Sequence, residues 1–229
     1  MSSYRIQVWD LPTRLFHWLL LGLTAAAIVS VKIGGNAMVW HGRFGHLIVG
    51  LIAFRIAWGF VGSSTARFAY FVRGPAAIRD YLAGRWHGVG HNPLGALSVL
   101  ALLGAIGFQA MTGLFANDDV AFSGPLRAAV TSGTSNLLSG WHRQMEWILY
   151  GLIALHVVAV LYHVLVRKDA LVLPMVTGTK SLDAPPAEAL RCAGWLALWF
   201  ALAVAGIVLW LTGGGLLPPP PPPSPDPGW

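Results

Sequence analysis

Residues 141–166 read WHRQMEWILYGLIALHVVAVLYHVLV. From Trp147 to Val166 there is no Asp, Glu, Lys or Arg, and the run has the roughly 20 apolar residues that a membrane-crossing helix needs. In hydrocarbon such a run must be helical, because the backbone has to satisfy its own hydrogen bonds. It also holds His142, His156 and His163. Histidine inside a span is expensive and marks function. His142 and His156 are 14 positions apart, about 21 Å along a helix and roughly 40° short of full turns. Both therefore lie on one face, near opposite ends of the span.

Outward from this stretch, four further apolar segments stand out, at residues 15–33, 44–61, 94–115 and 193–212. With residues 146–166 they make five candidate spans. The composition agrees: 55% of the 229 residues are hydrophobic and 10% are charged, against about 25% charged in a soluble domain. Mean hydropathy is +0.62. The first segment has the character of a retained helix rather than a cleaved leader, because no cleavage pattern follows it. The fold class expected is an all-α integral membrane protein.

The net charge is +6 and the pI about 10.0. In a membrane protein this balance is read from its placement. Arg5, Arg14, Arg67, Arg73, Arg79, Arg85, Arg167, Lys168, Lys180 and Arg191 fall on one side of the five spans, and Lys32, Arg43, Arg127 and Arg143 on the other. Cytoplasmic loops collect Lys and Arg, so the N-terminus is expected in the cytoplasm and the C-terminus outside, with no nucleic-acid partner. Residues 75–82 form a candidate interfacial helix in a long basic loop. Residues 116–140, rich in Ser, Thr and Gly, are expected to be an outer loop. The tail carries six consecutive prolines at 218–223, an extended segment. The single cysteine, Cys192, excludes an intrachain disulfide and a cysteine-held iron–sulfur cluster.

The other histidines supply partners for the helix of the opening stretch. His17 lies early in the first span and pairs in depth with His156. His41 opens the second span and pairs with His142. Spacing alone leaves two readings open, interfacial hydrogen-bonded histidines or bis-imidazole ligands of a haem held between helices. Zinc would want three or four ligands at one depth, whereas these are split between two. His46 competes with His41 at the outer side. Arg55, inside the second span, needs an anionic partner or must snorkel to the headgroups.

Several motifs carry a resemblance. They are VWDLPTRLFHW at 8–18, HGRFG at 41–45 continuing to FRIAWGFVG at 54–62, GHNPLG at 90–95, and LHVVAVLYHVLVRKDALVLPMVTGTK at 155–180. In this order and spacing the chain resembles the bacterial cytochrome b561 and nickel-hydrogenase cytochrome b family over residues 5–180. The resemblance implies a four-helix transmembrane bundle holding two b-type haems. It also implies His17, His41, His142 and His156 as axial ligands. Arg55 would then meet a haem propionate. The division expected is a haem domain at 1–180, an added span at 181–215 and a proline-rich tail at 216–229. The function implied is electron relay in the bacterial inner membrane between quinone or quinol and a partner redox protein such as a hydrogenase or a cytochrome c. A homodimer is compatible with it. Whether the chain acts alone as an enzyme or as a subunit of a quinone-linked oxidoreductase stays open. The rival classes are a non-haem transporter and a structural anchor for a redox complex.

Overall fold

The structure is a computed structural model that describes residues 4–86, 88–182 and 189–217. The polyproline stretch of the tail lies outside the described residues. Strand β1 (Tyr4–Gln7) leads into α1 (Leu11–Ile33), followed by α2 (Ala37–Val61), α3 (Phe68–Phe71), α4 (Pro75–Leu82), α5 (Pro93–Gly113), α6 (Ser132–Leu165), α7 (Val172–Thr177), β2 (Thr179–Leu182) and α8 (Trp195–Thr212). Helices α1, α2, α5, α6 and α8 are each long and apolar enough to cross a membrane. The chain is an all-α integral membrane protein.

Helix α1 starts where sequence chemistry starts it. The Asp10 carboxylate accepts from Thr13 N at 2.8 Å, and Pro12 occupies the first turn, where its missing N–H costs nothing. The other Asp10 oxygen accepts from Trp58 Nε1 at 3.1 Å, which ties the beginning of α1 to the end of α2. At the opposite end only Gly34, Gly35 and Asn36 separate the two helices, and both glycines take positive φ. This tight turn starts α2 at Ala37, seven residues before the apolar segment expected from 44. Helix α5 is capped by Asn92, whose side chain accepts from Gly95 N at 2.7 Å.

Helix α6 corrects the expected outer loop. It begins at Ser132, not 146, and runs for 34 residues. That is about 51 Å, well beyond the roughly 30 Å of hydrocarbon, so its first turns project outward. The Thr131 side chain caps it by accepting from Thr134 N at 3.2 Å. Ser135 donates to the Phe115 carbonyl at 2.7 Å, and Ser139 accepts from Asn117 N at 3.0 Å. The polar composition that resembles a loop is thus the seam of a helix against the loop after α5.

Helix α1 packs along α2, α2 also along α5 and α8, and α5 along α6. Two apolar clusters fill the interior. Ile48, Val49, Ile52, Ile106 and Leu149 form the one nearer the α1–α2 turn, and Phe16, Phe54, Trp58 and Ala201 the other. At the rim beside the α1–α2 turn, Lys32 meets Glu146 at 2.6 Å and joins α1 to α6. At the opposite rim, β1 pairs antiparallel with β2, with Tyr4 opposite Leu182. This strap returns the chain after α6 to the start of α1 before α8 begins.

Candidate haem sites

His41 sits in the second turn of α2 and His142 eleven residues into α6. Their ring centroids lie 6.0 Å apart with planes at 85°. Each ring is held through Nδ1. His41 Nδ1 contacts the Ala27 carbonyl of α1 at 2.9 Å. His142 Nδ1 contacts the Gln109 carbonyl of α5 at 2.8 Å. A carbonyl can only accept, so Nδ1 carries the proton in both rings and Nε2 keeps its lone pair. Fixing one ring nitrogen in this way sets the tautomer of a metal-binding histidine. Gly113 makes room for it, since a Cβ there would come within 2.9 Å of His142 Cε1.

His46 is arranged the opposite way. Its Nε2 lies 3.0 Å from the Leu209 carbonyl and 3.0 Å from Thr212 Oγ1. It therefore donates from Nε2 to the last turn of α8 and holds that helix against α2.

The second pair lies toward the other end of the bundle. His17 on α1 and His156 on α6 make up this pair, and His156 Nδ1 is 3.3 Å from Ser98 Oγ of α5. His17 Nδ1 is shielded and has no hydrogen-bond partner among the described residues.

Arg55 is 2% exposed. It does not snorkel. Its guanidinium lies over Phe68, 5.0 Å from the centroid, and beside Phe71 at 5.8 Å, while Nη1 is shielded and unpartnered among the described residues. Phe68 reaches it because residue 59 is glycine: a Cβ there would collide with the Phe68 ring. His91 stands between Trp9, at 4.5 Å, and Phe71, at 4.8 Å. Burial first, then the Arg55 charge, pushes its imidazole down to about 3, so it is neutral. Beyond these, Tyr81 of α4, His163 of α6 and Asp169 form a chain at 3.0 Å per contact.

Residues 8–178 match the family model of prokaryotic cytochrome b561. The chain belongs to that family. It is a multi-pass membrane cytochrome b that binds b-type haem and transfers electrons. The same comparisons returned no match among curated proteins or solved structures.

The residues present suit such a group. His41 and His142, their rings facing each other across α2 and α6, would hold such a group and supply its axial nitrogens. Among the described residues no cluster of three or more His, Cys, Asp and Glu forms a metal site. Sequence reasoning named the four histidines and Arg55 but not the groups that orient them: the Ala27 and Gln109 carbonyls and Ser98. Two of these are backbone atoms, which carry no signature in sequence.

Proposed function

We propose that this cytochrome holds two b-type haems, one between His41 and His142 and one between His17 and His156, and relays electrons between the quinone pool and a partner redox protein. The observation that carries this reading is the outer pair, two imidazoles 6.0 Å apart with each Nδ1 turned onto a carbonyl. That arrangement spends each Nδ1 proton on the protein and keeps a lone pair on each Nε2, the His142 one accepting from Gln109 Nε2 at 3.3 Å and open to iron once that amide turns away. The same consideration favours His41 over His46, whose Nε2 proton is committed to α8.

Each haem, when bound, supplies a one-electron couple that amino acids lack. The chain does the rest. Three helices, α1, α2 and α6, carry the ligands, α5 orients two of them, and the two apolar clusters exclude water. Arg55 offers a buried positive charge, suited to a propionate, and a cation there favours the reduced state of an adjacent iron. Groups at two depths divide the apolar layer into shorter steps. The basic asymmetry supports an inner-membrane orientation with the N-terminus and the His17–His156 pair on the cytoplasmic side. Residues 1–180 form the haem domain in this reading, with α8 fastened to its outside by His46. The test is haem quantitation on the purified chain. Two b haems per polypeptide are expected, and one or none contradicts the proposal.

A further inference from the structure

Among the described residues four side-chain nitrogens are shielded and without a partner: Arg14 Nε, His17 Nδ1, Arg55 Nη1 and His91 Nδ1. These last two belong to one aromatic stack. Trp9 packs on His91, His91 on Phe71, and Arg55 lies over Phe71 and Phe68. Stacking fixes both side chains by their faces and leaves N–H groups unused. The stack brings residues from before α1, from α2, from α3 and from just ahead of α5 to one place. Trp9 lies two residues before α1, and His17 follows two turns into that helix.

A buried guanidinium without an anion is strongly unfavourable. Asp10 is a carboxylate at the same end of the bundle, accepting from Thr13 N and Trp58 Nε1. It forms no ion pair with Arg55. A water or a quinone carbonyl would accept a hydrogen bond without balancing the charge. A carboxylate does both, and it accepts from two donors at once.

We infer that His91 and Arg55 form a two-sided clamp for one propionate of the inner haem, Arg55 supplying the charge and His91 a second N–H. The inference rests on the proposed inner haem site. His91 is a positioning residue: it touches the periphery of the group and not the iron.

The experiment is a redox titration of the full-length protein in detergent, joined to resonance Raman of the haem propionate bending modes. It compares wild type, His91→Phe, His91→Gln and Arg55→Leu. His91→Phe keeps the stack and removes the donor. A propionate left with one donor fewer stabilises ferric iron, so reduction of the inner haem becomes roughly tenfold less favourable, ~59 mV for a one-electron couple. One bending mode shifts with it. His91→Gln keeps an N–H and returns potential and mode toward wild type, and Arg55→Leu moves both further than His91→Phe.

An unmoved mode and potential in His91→Phe with the haem bound overturns the clamp, and so does a His91→Gln protein that behaves like His91→Phe. If His91→Phe loses the inner haem, His91→Gln decides. Retention with the wild-type mode supports the clamp, and loss or a shifted mode overturns it. Survival of the inner haem in His17→Ala would be a separate failure, that of the ligand assignment itself.

Discussion

His41 and His142 face each other from α2 and α6 with ring centroids 6.0 Å apart, and each is steered by a carbonyl of a third helix, Ala27 of α1 or Gln109 of α5. Three interhelical contacts therefore converge on one pair of nitrogens. This packing gives His41 and its near neighbour His46 different duties.

His46→Ala should keep both haems and loosen α8. The Leu209 carbonyl and Thr212 lose their partner, a cost of about 1–2 kcal/mol. Thermal unfolding followed at the Soret band and by intrinsic fluorescence should show a lower transition for the fifth helix with an unaltered haem content. His41→Ala should lose one haem. The reverse pattern would exchange the roles of the two residues.

The Lys32–Glu146 contact joins α1 to α6 one turn from His142 and also receives the Tyr150 hydroxyl at 2.6 Å. The Lys32 side chain is 60% exposed, so solvent screens the pair and it adds little to stability. Lys32→Met should lower the melting temperature by a degree or two and leave haem content at wild-type level. Loss of a haem in Lys32→Met would make this contact part of the site.

Asp118 folds the outer loop by accepting from the backbone N–H groups of Val120, Ala121 and Phe122. Those bonds hold its carboxyl below the ordinary 3.8. A carboxylate depressed in the folded state stabilises the loop above its unfolded pKa, and that contribution is lost as pH falls through the folded value. Amide exchange at residues 120–122, corrected for its intrinsic rate, should be steady from pH 7 to about 4 and then quicken. Asp118→Asn should remove the acid-dependent step. An equally steep step in Asp118→Asn would assign it to another group.

The five-span reading places the two chain ends on opposite sides. A reporter active only outside the cytoplasm, fused after Trp229, should be active, and the same reporter at the N-terminus silent. Activity of a cytoplasmic reporter at Trp229 would require an even number of spans.

The spans were legible because lipid imposes a simple composition on them, and α4 lies at the expected residues 75–82. Their ends were less so. Residues 132–140 look like a loop because Ser, Thr and Gly predominate, yet Ser135 and Ser139 use their hydroxyls to bind the segment after α5. The strap between Tyr4–Gln7 and Thr179–Leu182 could not be read locally, since its strands are four residues each and lie far apart in sequence. The four histidines and Arg55 stood out as polar groups in apolar runs. The stack that holds His91 was not legible, because it depends on Trp9 and Phe71, which are distant in sequence.

The measurement that tests the two-site account most directly is a potentiometric titration of the reduced-minus-oxidised spectrum in wild type and in four single variants. Two waves of equal amplitude are expected in wild type. His41→Ala and His142→Ala should each abolish the same wave, and His17→Ala and His156→Ala should each abolish the other. A variant that removes both waves in a folded protein, or a pair that removes different waves, would contradict the account.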